Sequence, residues 1–420
     1  MTAKRVLLLA ATTGYQTRVF AEEARRLGMD VVLATDRCKG MEDPWGDGAI
    51  AVQFERPEES LASLLFAVAG KPVDGIVAVG DRPVYLAALV AEKLALPYGP
   101  PAAVAASRDK YLMRQCFRIA GLRLPSFFRI GLDEDSQQAA AGAPYPCVLK
   151  PLGLSGSRGV IRADGLQEFI AAFRRIKTIL DSKDIRRLHE QHNRYIQVES
   201  YIPGREYALE GIVTGGRLQV LALFDKPDPL DGPFFEETIY ITPSREPARL
   251  QEEIVATARE AVRALGLKHG PLHAEMRVNT QGVWMLEVAA RPIGGLCAKA
   301  LRFRGGMTLE ELILRHATGE DVSAASLADA ASGVMMIPIP RAGVYEGVDG
   351  LTEAASTHGV EDVLITAKEG QKILPLPEGS SYLGFIFARG KSRDEVEAAL
   401  RAAHAKLEFT ISTALPVVTA

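Results

Sequence analysis

The feature that most constrains this chain is the order of apolar runs and helical patterns in its first hundred residues. Val6–Ala10 reads as a buried strand, and Thr17–Leu27 repeats apolar positions at helical spacing before stopping at Gly28. Val31–Ala34 is the next strand, followed by Asp36, and the cycle returns at Gly75–Val79 and Val84–Leu94. Strand–helix–strand order implies a parallel sheet, with ligands beyond the strand C-termini. The first turn, Ala11-Thr-Thr-Gly-Tyr15, lacks Gly-x-Gly-x-x-Gly, which argues against a nicotinamide site with Asp36 on a ribose. Pro97 and the pair Pro100-Pro101 close the segment.

A chain of 420 residues exceeds one ordinary core, so two or three domains are expected. With 47% apolar and 24% charged residues, the balance is that of a soluble globular protein. A formal net charge of −3 gives no general pull towards nucleic acid or an anionic membrane. No apolar run approaches the ~18 residues of a membrane span. Cys38, Cys116, Cys147 and Cys297 are scattered, so reduced thiols and a cytoplasmic location are expected.

Beyond Ser107 the pattern changes. Arg108–Ala120 reads as a basic amphipathic helix, and Pro146-Cys-Val-Leu-Lys150-Pro151 as a short strand ending in a lysine. The loop Gly153-Leu-Ser-Gly-Ser-Arg-Gly159 follows, then a strand from Val160 and a polar helical stretch, Gln167–Asn193, expected at the surface. Tyr195–Tyr201 and Glu206–Val213 read as strands joined by Pro203-Gly204, and Glu252–Leu265 as a helix. Strand-like segments dominate after about residue 325, with a final helix near Arg393–Leu407. The glycines allow backbone N–H groups close to phosphate oxygens, Ser157 can add a hydroxyl, and Lys150 supplies a point charge. A plain glycine-rich turn gives the same signal, and Lys110 alone reads as a solvated helix lysine.

The hairpin Leu272–Ala290 is the most informative piece. A three-residue loop, Thr280-Gln281-Gly282, places Asn279 opposite Val283 and Glu275 opposite Glu287. One face then carries Ala274, Met276, Val278, Trp284, Leu286, Val288 and Ala290 for the core. The other carries His273, Glu275, Arg277, Met285 and Glu287, with Arg291 in the same parity. Opposed carboxylates repel unless a cation or proton lies between them, and hard oxygen donors suit Mg²⁺. The alternative is a solvated charged face neutralised by Arg277 or Lys299. His273 alone reads as a packing or hydrogen-bonding residue.

In their order, Lys110, Lys150-Pro151, Gly153–Val160, Glu199–Ile202, Gly204-Arg-Glu206, Glu275 and Glu287-x-x-x-Arg291 resemble the ATP-grasp superfamily of carboxylate–amine ligases. Phe224-Asp-Lys226, Gly232-Pro-Phe-Phe-Glu-Glu237 and Pro243-Ser244 are similar to the substrate-side segment of the L-amino-acid ligases, the dipeptide-forming branch. Gly343-x-x-x-Gly347, Pro375-Leu-Pro377 and Tyr382-Leu-Gly384 resemble that branch's terminal domain. The resemblance implies a mixed α/β and α+β chain. A Rossmann-like pre-ATP-grasp domain would span 1–105 and the ATP-grasp fold 106–325. The latter divides into a nucleotide-lid subdomain, 106–197, and a metal/substrate subdomain, 198–325; a small α+β C-terminal domain, 326–420, follows.

The resemblance also implies roles. Lys110 and Lys150 would contact ATP phosphates, with Gly153, Ser155, Gly156, Ser157 and Gly159 closing over them. Glu199, Ser200, Tyr201 and Ile202 would form the adenine-binding linker, largely through backbone atoms, and Glu206 would hold the ribose. Glu275 and Glu287 would bind Mg²⁺, or Mn²⁺ in its place. Arg291 would stabilise the carboxylate and the developing acyl phosphate, and Glu237 would position the second substrate. The implied reaction joins an amino acid or similar acid to an amine and releases ADP and phosphate. The partners are these small molecules, with no nucleic acid or membrane, and a homodimer by analogy with relatives. Ala289 stands where many superfamily members carry Asn, and Tyr240 where the ligase branch often carries His. The alternatives are a bicarbonate-using ATP-grasp carboxylase and a non-catalytic ATP-binding regulatory protein.

Overall fold

A computed structural model describes residues 3–11, 16–36 and 49–413. Most of the first turn and Cys38 fall outside the described residues. The N-terminal strands form a parallel sheet in the order Ile50–Ala51, Asp30–Thr35, Arg5–Ala10, Gly75–Val79. Arg5–Ala10 and Gly75–Val79 are apolar almost throughout because helices cover the sheet. The helices are Gln16–Arg26, Pro57–Ala69 and Pro83–Leu94; the last two begin at prolines, whose missing N–H costs nothing in a first turn. Asp36 pairs with Arg82 at 2.7 Å.

The helix expected over Arg108–Ala120 is Lys110–Ile119, and a separate helix, Pro101–Arg108, precedes it. Asp109 between them is extended, and its carboxylate accepts from the N–H groups of Tyr111 and Leu112. A capping aspartate thus restarts the helix. Lys110 consequently occupies a helix start, where it is 9% exposed rather than solvated.

An antiparallel sheet follows, ordered Phe127–Gly131, Tyr195–Ser200, Cys147–Pro151, Ile161–Ala163. The stretch 167–193 is not one surface helix. It breaks into Leu166–Leu180, Lys183–Arg186 and a 3-10 turn, Gln191–Arg194. The apolar stripe Phe169, Phe173, Ile176 and Leu180 packs on this sheet and only the opposite side is wet.

The largest sheet has eight antiparallel strands. Its order is Gly282–Ala289, His269–Asn279, Arg205–Thr214, Arg217–Asp225, Ile239–Thr242, Ala331–Ile337, Gly384–Gly390, Val360–Ile365. It therefore runs without a break from the substrate side into the C-terminal region. Helix Ala248–Leu265 shares a core with the N-terminal sheet, and helix Arg393–His404 packs on the C-terminal strands. A three-stranded sheet, Lys372–Ile373, Gly343–Asp349, Glu408–Ser412, completes the fold.

The hairpin corrects two details of its expected register. Asn279 faces Gly282, leaving a two-residue loop, so Val283 and Met285 move onto the core face. A β-bulge at Leu286 then flips the parity, and Glu287 returns to the face of Glu275 as its direct partner. The one-residue shift and the bulge cancel. Trp284, expected in the core, instead stacks under Arg123 and donates to Asn279 Oδ1 at 3.1 Å.

Candidate active site

Strands Arg205–Thr214 and His269–Asn279 place Glu206 opposite Arg277, Ala208 opposite Glu275, and Glu210 opposite His273. Because side chains alternate, these rows share one face. Arg277 donates through Nε to Glu206 at 2.8 Å and to the carbonyls of Ile202 and Leu230. Arg277 thus serves Glu206 and not the Glu275–Glu287 pair; Lys299 is engaged with Asp362.

The neutralising cation is Lys226, just beyond strand Arg217–Asp225. Its ammonium bonds Glu206 at 2.8 Å, Glu275 at 2.9 Å, and Glu237. Burial would discharge this lysine, but the three carboxylates outweigh it and raise its pKa well above the usual range. Burial, reinforced by Glu275, pushes the Glu237 carboxyl up to about 7. Glu275 goes the other way: despite burial, Lys226 and His273 hold it well below the usual carboxylate range. His273 bonds Glu210, whose charge overcomes burial and raises the imidazole to about 9. Tyr240 donates to Glu275 at 3.3 Å, and burial raises its hydroxyl far above its ordinary value.

Glu206, Glu237 and Glu275 offer oxygens all within 4.8 Å of one another, the one metal-capable group among the described residues. Three carboxylate oxygens suit a hard divalent cation. The donor set present therefore fits Mg²⁺ or Mn²⁺. Glu287 lies outside this group. Its carboxylate is 3.6 Å from Lys110 Nζ and acts electrostatically on Arg291.

Lys110 also donates to the Leu154 carbonyl at 2.8 Å, joining the helix start to the glycine-rich loop. Lys150 meets Glu199 at 2.5 Å; Arg114 Nε and Gln197 Nε2 reach the same carboxylate at 2.7 Å and 2.6 Å. Burial opposes ionisation of Glu199, yet Arg114 and Lys150 hold it at about 2. The Glu199 side chain therefore faces the lysine. Its neighbours' backbone is committed too: Ser200 and Tyr201 donate to the carbonyls of Ser126 and Pro146, and the Ile202 carbonyl accepts from Arg277. In the loop, Gly156, Ser157 and Gly159 are left-handed, at φ 62°, 53° and 74°. Ser157 bears the strain of that conformation without being glycine. Ser155 and Gly156 are exposed, and Gly153 has no room for a Cβ beside His192.

Arg291 is tied to the N-terminal sheet, donating from Nε to Asp81 at 2.6 Å. Asp81 follows strand Gly75–Val79 at its C-terminal end, where ligands of parallel sheets gather. That placement was a usable signal for Asp81. Lys226 stood within Phe224-Asp-Lys226 without a role, while nothing marked Arg114, a fully buried arginine on an amphipathic helix.

Three domain families match in chain order: the ATP-grasp N-terminal domain over residues 21–98, the ATP-grasp domain over 143–300, and the L-amino acid ligase C-terminal domain 2 over 335–412. With this fold and site, the chain is a member of the ATP-grasp superfamily. Within it, the chain is similar to the L-amino acid ligases. The crystal structure of L-amino acid ligase from Bacillus licheniformis superposes with a TM-score of 0.80 at 27% identity, covering 98% of this chain and 99% of that one. The alanine–anticapsin ligase of Bacillus subtilis is 27% identical over 275 residues, 62% of this chain and 57% of its own. The ATP-grasp enzyme fsqD of Aspergillus fumigatus is 25% identical over 320 residues, 66% of this chain and 53% of its own. Those two matches span a little over half the length of the relatives concerned.

Proposed function

We propose that this protein is an ATP-dependent carboxylate–amine ligase. It joins an amino acid or similar acid to an amine or second amino acid through an acyl phosphate, releasing ADP and phosphate. The observation that carries the reading is a linked set of charged groups: Lys110 reaches the glycine-rich loop and Glu287, Glu287 lies opposite Glu275 and acts on Arg291, and Glu275 shares Lys226 with Glu206 and Glu237. The relatives whose names state amino-acid ligation support the choice of acid and amine.

A carboxylate is a poor acyl donor because its leaving group would be oxide; phosphorylation by ATP supplies phosphate instead. Lys110 and Lys150 would position the γ-phosphoryl group, with Arg114 and Glu199 fixing Lys150 from behind. Glu275 and Glu287, with Glu206 and Glu237 within reach, would hold Mg²⁺, which when bound neutralises charge developing on the phosphate oxygens. Arg291, oriented by Asp81, would hold the acid's carboxylate and then the oxyanion formed when the amine attacks. The loop over the phosphates would exclude water from the acyl phosphate. Glu237, held by Lys226, would help position the incoming amine. Tyr240 stands too high in pKa to take the amine's proton. Small molecules are the expected partners, and a homodimer in the cytoplasm is the expected form.

An ADP-release screen over paired amino acids, with mass spectrometry of the product, tests the reading. ADP release that requires both an acid and an amine is expected. Arg291→Ala and Glu287→Ala should abolish it while the circular dichroism spectrum is unchanged. Release driven by bicarbonate alone would show a carboxylase. Thermal stabilisation by ATP with no ADP from any pair would show a regulatory nucleotide binder.

A further inference from the structure

The glycine-rich loop is fastened at both ends. On the inner side Lys110 holds the Leu154 carbonyl at 2.8 Å. On the outer side the loop leans on the C-terminal segment 375–380: Gly159 N–H donates to the Pro377 carbonyl at 3.0 Å, and Arg158 Nε to the Glu378 carbonyl at 2.8 Å. A Cβ on Gly156 would stand 3.3 Å from Ser380. The Glu378 carboxylate meanwhile grips Arg175, on helix Leu166–Leu180 behind the loop, through Nε at 2.5 Å and Nη2 at 2.9 Å. One residue of the C-terminal region thus touches both the loop and the helix that carries its sheet.

Nucleotide changes the balance between the two fastenings. Once Lys110 turns to a phosphate, as the ligase reading requires, its bond to Leu154 is lost and the outer fastening remains. Arg175 and Glu378 are partly exposed, 43% and 37%. Such a pair is weak, geometrically specific and sensitive to salt.

We propose that Glu378 is a positioning residue for the phosphate-covering loop, clasping it and helix Leu166–Leu180 to the C-terminal region while nucleotide is bound. This rests on the ligase reading above. The clasp sets how long nucleotide stays enclosed; it does not touch the reacting atoms.

The test uses the full chain and adenylyl imidodiphosphate with Mg²⁺, so no substrate need be known. Glu378→Gln removes the charge yet keeps the backbone carbonyl that holds Arg158. It should weaken binding, and speed release, by about five-fold at low salt, the span of one such pair. High salt should shrink the difference, because the parent loses its clasp while the variant has none to lose. The charge-swapped double variant Arg175→Glu with Glu378→Arg should recover most of the affinity. Unaltered affinity and release in Glu378→Gln would overturn the proposal, as would a lowered melting temperature with unaltered release, the mark of a merely structural contact. A parent chain that binds no nucleotide would overturn the ligase reading itself, and this inference with it.

Discussion

Lys226 is one ammonium among three carboxylates, and charge alone says something must yield. Glu237 yields, its pKa lifted to about 7 by burial and by Glu275, while Glu275 stays ionised. Lys226→Met removes the cation and leaves repelling acids buried, a change that costs about 3–5 kcal/mol where a buried partner is lost. We expect its melting temperature to fall sharply in EDTA and to rise with Mg²⁺ by more than the parent's does. Equal responses to Mg²⁺ in both proteins would show that the cluster is no cation site. Glu199 is a second such knot, 3% exposed and shared by Arg114, Gln197 and Lys150. Glu199→Gln strands two buried cations, so both stability and ATP affinity should drop. Calorimetric unfolding and nucleotide titration check this; affinity at the parent's level would separate Lys150 from the phosphates.

At the scale of elements the hairpin matters most, because it carries Glu275 and Glu287 on adjacent strands. Leu286 is the extra residue that the bulge accommodates between Met285 and Glu287. Deleting it joins Met285 to Glu287 and, by plain alternation, leaves Glu287 opposite Glu275, so ATP-dependent thermal stabilisation should stay near the parent's level with a native far-ultraviolet spectrum. Loss of that stabilisation would show that the bulge itself shapes the site. The pairing of the two glutamates was legible in the sequence, but the route to it was not. Periodicity cannot register a bulge, since a two-residue loop with a bulge and a three-residue loop without one align the same carboxylates. The parallel strands and the lysine strand were legible because runs such as Val6-Leu-Leu-Leu-Ala10 admit few alternatives. The helix Pro101–Arg108 was not, since the pair Pro100-Pro101 reads as a closing turn as readily as a helix start. Arg114 and Lys226 escaped for a related reason: their importance comes from burial beside partners 85 and 11 to 49 residues away.

Across the whole molecule, the N-terminal sheet and the grasp share apolar cores and several closer contacts. One is the Asp81–Arg291 bond. A second is tight packing in which a Cβ on Gly75 would stand 2.4 Å from the Ala317 carbonyl. Beside the second, His316 stacks on His269 with ring centroids 3.9 Å apart and shares a hydrogen bond with the Thr214 hydroxyl. Burial, then the neighbouring His269, lowers the His316 imidazole to about 4. The unfolded chain takes up this proton near pH 6.5 and the folded chain near pH 4, so stability falls as pH drops between those values and is unaffected above them. His316→Gln should flatten that acid limb by an amount on the order of 3 kcal/mol at most. Urea midpoints of parent and variant, compared at neutral pH and at about pH 5, measure it. The eight-stranded sheet has a practical consequence as well. It passes directly from Ile239–Thr242 to Ala331–Ile337, so the tail is woven in and not appended. A chimera that exchanges everything after residue 325 between relatives, in the hope of importing another's amino-acid preference, must rebuild that seam. A graft with a poorly matched first strand would leave Ile239–Thr242 as a bare apolar edge, and such edges recruit neighbouring chains into aggregates. Junctions placed ahead of Ile239 would carry both sides of the seam together.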